Sequence, residues 1–228
     1  MEPTVPNRSV DDWRFADRTE AGTLLADRLR NHLFIDPLIL ALPRGGVPVA
    51  YEVARRLEIP MEVLVARKIG APGYPEYAVG AIVEGDFSHL NPRTMEALHL
   101  SEEDVERVLI EERAELRRRV ARYRIDRPLP RVKGRDIVLV DDGIATGETA
   151  RVAVRLLRDR GARKIIVAAP VGPARLDRRT DFPEADELIL LQRPQNFQAV
   201  GQFYSRFTAV SDDAVIHLAD RGRQLGAG

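Results

Sequence analysis

The sequence predicts an α/β fold, a doubly wound and mostly parallel sheet, and three observations carry that prediction. Ile137 to Val140 is an unbroken β-branched and aliphatic run, the character of a parallel strand covered on both faces. Leu38 to Leu42, Met61 to Val65 and Lys164 to Ala169 repeat it, and stretches of helical periodicity alternate with them. The 228 residues, 44% of them hydrophobic, suffice for one well-covered domain with a small appendage but not for a second full domain.

Residues 1 to about 12 are polar and punctuated by proline, so they are expected to form a loose tail, with a single domain over 13–228. From Asp17, a helix places Ala21, Leu24, Leu25 and Leu29 on one face. Leu38 to Leu42 is a buried strand, Pro43-Arg44-Gly45-Gly46 a turn, and Val47 to Leu57 a helix. After the strand Met61 to Val65, the glycine and proline content of Arg67 to Tyr77 predicts a long loop, mobile over about 69–77, before the apolar Ala78 to Val83. Ser101 with Asp104 has the form of a capping box and opens a charged helix to about Arg124, expected as a solvent-facing strut. Pro128, Pro130 and Gly134 end it. Glu148 to Arg160 is the helix after the Ile137 strand, and Pro170 is expected to stop the strand from Lys164. Leu188 to Leu191 is a last short strand, and Pro194 to Phe207 is irregular or helical and rich in aromatics.

Charge and composition exclude several function classes. Lysine plus arginine and aspartate plus glutamate both number 35, so no global field draws the protein to nucleic acid or a membrane, and any anion site must be local. The arginines of the charged helix, among them Arg113, Arg117, Arg118 and Arg122, are balanced by acids, with Glu103–Arg107 and Glu115–Arg119 at i,i+4 spacing. With no cysteine there are no disulfides and no thiolate chemistry. His32, His89, His99 and His217 lack metal-ligand spacing, so no structural zinc is expected. No secretory or membrane-spanning run is apparent, and a cytoplasmic protein is expected.

The chemistry concentrates where the Ile137 strand ends in Asp141-Asp142-Gly143-Ile144-Ala145-Thr146-Gly147-Glu148-Thr149. Parallel sheets bind ligands at the carboxyl ends of their strands. The glycines let successive N–H groups converge, and the following helix adds its positive end, making an anion cup suited to phosphate. A dinucleotide fingerprint and a P-loop are both absent there, and a phosphoaspartate site would need partners that are not identifiable. Asp141 and Asp142 as plain capping and turn residues is the simpler alternative.

Val138 to Thr149 resembles the phosphoribosyl pyrophosphate loop of type I phosphoribosyltransferases, and Pro43-Arg44-Gly45-Gly46 is similar to that family's pyrophosphate loop. The resemblance implies that family's fold with a small hood, and that Asp141 and Asp142 take the ribose hydroxyls and touch Mg2+ only indirectly, through ribose or water. It implies that Ala145, Thr146, Gly147, Glu148 and Thr149 wrap the 5′-phosphate and that Arg44, Gly45 and Gly46 face the leaving group. Arg67 and Lys68 are further candidates for pyrophosphate, or else surface cations. Glu76, on the expected mobile loop, is a candidate general acid or base alongside the two acids, or else a solvated glutamate. Glu148 stands where many relatives have a small residue, and an inward carboxylate would repel phosphate, so it is expected to face solvent. Asp17-Arg-Thr-Glu-Ala-Gly, Arg67-Lys-Ile-Gly-Ala-Pro-Gly and Gln198-Ala-Val-Gly-Gln-Phe-Tyr extend the resemblance to a bacterial subgroup of predicted members.

That resemblance implies a Mg-dependent transfer of the 5-phosphoribosyl group from phosphoribosyl pyrophosphate to a nucleobase-like acceptor, with a homodimer expected. A non-catalytic regulator that binds phosphoribosyl pyrophosphate or a nucleotide is the alternative. The hood, from about 192–218 with N-terminal contributions, would select the base; Phe197, Phe203, Tyr204 and Phe207 are its candidates, with at least two of them expected in the core. Ala145 replaces an acid that in some relatives reads a purine, so the loop does not name the acceptor.

Overall fold

Alternation along the central strands sorts their side chains into two cores, and the helices divide between them. The computed structural model describes residues 14–85, 87–125 and 127–226. The expected tail, 1–12, lies outside the described residues. Helix α1 (Arg18–Leu29) is capped by the Asp17 carboxylate, which accepts from the Thr19 and Glu20 N–H groups, and it docks by Ala21, Leu25 and Leu29. Strand β1 (Pro37–Ala41), helix α2 (Gly46–Leu57) and strand β2 (Met61–Val63) form the first parallel unit. Strand β6 (Asp136–Val140), helix α5 (Glu148–Asp159), strand β7 (Lys164–Val171), the short α6 (Arg178–Asp181) and strand β8 (Glu187–Gln192) form the second.

The five strands are parallel in the order β2-β1-β6-β7-β8. Ile39, Ala41, Val138, Val140, Ile166 and Ala168 enter the core under α1 and α2, whereas Leu38, Leu40, Ile137, Leu139, Ile165 and Val167 enter the core under α5. Helices therefore cover both faces, as the continuous apolar runs require. Strand order reverses between β1 and β6, whose adjacent carboxyl ends frame the crevice in which open α/β sheets hold ligands.

Between the two units the chain departs from expectation. Arg67 to Tyr77 is not a long loop. Strands β3 (Ala66–Ala71) and β4 (Tyr74–Val83) pair antiparallel around a two-residue turn at Pro72 and Gly73, and β5 (Phe87–Leu90) completes a three-stranded sheet. Glycine and proline are here hairpin punctuation: Gly73 supplies a positive φ, and Pro75 sits where the register slips. Ile69, Val79 and Ile82 join one core and Ala66, Ala81 and Val83 the other, so the hairpin is anchored through its base.

Helix α3 (Pro92–Ala97), which periodicity did not reveal, precedes α4 (Glu102–Arg124), where the Ser101–Asp104 capping box forms as read. Glu115 and Arg119 pair at 2.8 Å. The helix is more than a strut: Val105, Leu116 and Tyr123 are buried against the hairpin and the last helix, α7 (Asp212–Arg223). Strand β7 runs through Pro170 because its pairing with β6 ends at Ala168, beyond which it pairs only with β8. No described helix is long and apolar enough to cross a membrane.

Candidate phosphate and ribose site

The site forms where the turns after β1 and β6 meet. Ala41 pairs with Val140, and the Leu42 N–H continues the ladder to the Val140 carbonyl at 2.9 Å, so both chains leave the sheet at one level. The Pro43–Arg44 peptide is cis. A Cβ on Gly45 would fall on the Asp142 carboxylate, and one on Gly46 would lie 2.8 Å from the Val140 carbonyl oxygen. The two glycines are thus required by the packing of one loop on the other, a reason local turn chemistry does not supply.

Beyond the acids, the chain turns through Gly147, whose φ of 79° is left-handed, into the first turn of α5, which no side chain caps. That first turn borders a small cavity of 110 Å3 lined by Lys68, Asp141, Ala145, Thr146, Gly147 and Thr149 among others, a volume suited to a phosphate group rather than a whole nucleotide. Asp141 is half-buried and Asp142 is 9% exposed, and the Asp142 N–H donates to Asp141 Oδ1 at 2.8 Å. Burial pushes both carboxyls above the ordinary carboxylate range, and repulsion from Asp142 adds to the shift of Asp141; Arg18 pulls Asp142 back and Lys68 pulls Asp141 back. Among the described residues no group of three or more histidine, cysteine or acidic side chains could hold a metal ion.

A family model for the phosphoribosyl transferase domain matches residues 18–206, a span that contains both loops. The chain belongs to the phosphoribosyl transferase family. It is 44% identical over 210 residues to "Putative phosphoribosyl transferase Rv0571c" of Mycobacterium tuberculosis, covering 92% of this chain and 47% of that protein. The chain thus spans about half the length of the curated relatives it matches. A 60-residue stretch is 45% identical to the amidophosphoribosyltransferase of Pyrococcus horikoshii, 25% of this chain and 13% of that one. The crystal structure of TT1426 from Thermus thermophilus superposes with a TM-score of 0.75 at 42% identity, over 90% of this chain and 97% of that one.

Not every expected residue converges on this crevice. Arg44 is exposed, with Nη1 3.7 Å from Asp212. Lys68 reaches the cavity, but Arg67, its neighbour on the strand, points to the other side of the hairpin and donates to Glu112 on α4. Glu76 falls in β4, not on a loop; its side chain lies outside the described residues. Glu148, expected in solvent, is 7% exposed. It is absent from the cavity lining and accepts from Asn91 Nδ2 at 3.1 Å and Arg151 Nη1 at 2.7 Å, so the cation neutralises it and the amide adds a hydrogen bond.

Two residues hold Asp142: Arg18, which sequence reading did not assign to the site, and Tyr204, which it placed in the hood. Arg18 Nε donates to Asp142 Oδ2 at 2.8 Å, its Nη1 donates to the Thr208 carbonyl, and its guanidinium lies 3.9 Å over the Phe207 ring. Tyr204 is 3% exposed, and its hydroxyl donates to the Asp142 carbonyl at 2.6 Å. A cation in the first turn of α1 opposes the helix dipole, which was the one available signal that Arg18 serves another group. The hood itself joins both ends of the domain: Phe15 bridges Tyr204, and Arg206 binds Asp17 at 2.5 Å. Of the four hood aromatics only Tyr204 is fully buried, Phe197 and Phe203 stack half-buried, and Phe207 is 41% exposed.

Proposed function

We propose that the chain moves the 5-phosphoribosyl group from magnesium phosphoribosyl pyrophosphate to a nitrogen base, releasing pyrophosphate. The observation that carries this reading is the seating of the Pro43–Gly46 turn directly against Asp142, which puts a second loop beside the acid pair and phosphate cup of Asp141 to Thr149. A cup alone fits any phosphate; a paired loop across the switch point fits a ribose phosphorylated at both ends.

In this reading the N–H groups from Ala145 to Thr149 hold the 5′-phosphate. Asp141 and Asp142 accept from the ribose hydroxyls and stabilise the positive charge that develops on the sugar ring as the C1–oxygen bond breaks. Lys68 and the Arg44 to Gly46 turn receive the departing pyrophosphate. A magnesium ion, which prefers phosphate and water oxygens, would be carried mainly by the substrate. It would supply charge neutralisation to the leaving group.

The test is a pyrophosphate-release screen over purines, pyrimidines and no acceptor. Release that depends on one base and falls at least a hundredfold in Asp142→Asn is expected. Saturable binding without turnover on any base would instead identify a regulator, and turnover with no base a hydrolase.

A further inference from the structure

Arg124 and Glu84 are 3% and 4% exposed, and no step above uses them. Arg124 closes α4 and donates from Nη2 to Glu84 Oε2, just beyond β4. Arg124 Nε and Nη1 and Glu84 Oε1 have no hydrogen-bond partner. Buried donors are ordinarily satisfied by protein, water or a ligand, and the idle N–H groups of a guanidinium leave it positive charge and hydrogen bonds to offer an anion.

Both residues line a cleft of about 520 Å3. Its rim carries the exposed Arg127 and Arg160, and Leu116 and Leu129 give it an apolar wall. In a chain with no net charge, this grouping of arginines around one carboxylate is a local anion field. The cleft is not part of the phosphate cup: Arg160 caps the carboxyl end of α5, a 12-residue helix whose amino end faces the cup, so the two lie about 18 Å apart along it.

We propose that this cleft is a second anion-binding site, taking a small organic phosphate whose phosphate meets Arg124, Arg127 and Arg160 and whose apolar body rests on Leu116 and Leu129. Fluorophenyl phosphate, which has both features, is the probe, with its 19F signal read in a titration of the whole chain. Arg127→Gln/Arg160→Gln alters only exposed heads and leaves the buried pair intact. The expected result is binding weakened at least tenfold in that variant, retained in Thr146→Glu, which places a carboxylate in the phosphate cup, and retained in the charge control Arg93→Gln/Arg107→Gln. Binding abolished by Thr146→Glu, equal loss in the charge control, unchanged affinity in the cleft variant, or no binding to the wild-type chain would each overturn the proposal. Unchanged melting temperatures establish that each variant is folded, and Arg124→Lys, which keeps charge but removes the idle guanidinium N–H groups, is expected to lose affinity too.

Discussion

Asp142 has its carboxylate against Gly45, its Oδ2 held by Arg18 and its carbonyl held by Tyr204. Removing Arg18 would leave a buried charge with its main partner gone, so the Asp142 carboxyl would rise further. If the ionised pair supports transfer, Arg18→Met should move the acid limb of the pH–rate profile to higher pH and lower kcat/KM at neutral pH by roughly ten- to a hundredfold, the scale of 1.4–2.8 kcal/mol. An unshifted limb would assign Arg18 a packing role only. Gly45→Ala should cost about 1–3 kcal/mol in urea unfolding through overpacking, and activity with it, because the added methyl lands on Asp142. These contacts were hard to read in advance: Arg18 and Asp142 are 124 positions apart, and only the misfit of a cation in a helix's first turn hinted at the pair. Glu148 misled in part for a related reason: its cation Arg151 stands three residues on in the same helix, but its second partner, Asn91, comes from another element.

At the scale of elements, the strands of the parallel sheet were legible because burial on both faces leaves an unmistakable apolar run, as in Ile137 to Val140. The hairpin was not. Its strands contain arginine, lysine, glycine and proline, and their apolar positions reach the cores only after pairing puts Ile69 opposite Gly80. Helix α4 seals that hairpin, so Leu116→Ala should cost about 2–5 kcal/mol, as buried leucine truncations do, whereas truncating the exposed Ile110 should cost little. Equal urea midpoints for the two variants would show that α4 is the solvent-facing strut its charge suggests. Helix α7 also escaped sequence reading, and its packing against α2 places Asp212 3.7 Å from Arg44, tying the Pro43–Gly46 turn to α7.

For the molecule as a whole, the buried Glu84 sets a pH dependence of stability. Burial, only partly offset by Arg124 and Arg160, pushes its carboxyl from 4.5 to about 7. The native state therefore binds more protons than the unfolded chain between those values, so this group's contribution is fully present near pH 4.5 and is lost as pH rises through about 7. Carboxyls held low by their partners, such as Glu115 at about 2, act in the opposite direction but below pH 4.5. Between pH 5 and 8, Glu84→Gln should flatten the fall in unfolding free energy by roughly 1–3 kcal/mol; parallel curves for the two proteins would contradict this.

The same molecular frame, two crossovers diverging from β1 and β6, brings the glycine turn and the acidic loop to one crevice. Determination of the structure with magnesium phosphoribosyl pyrophosphate tests that convergence most directly. The predicted result is the 5′-phosphate on the N–H groups from Ala145 to Thr149, the ribose hydroxyls on Asp141 and Asp142, and the pyrophosphate at Arg44 to Gly46 and Lys68. Pyrophosphate bound away from the Pro43–Gly46 turn, or a folded protein that never takes up the ligand, would contradict it.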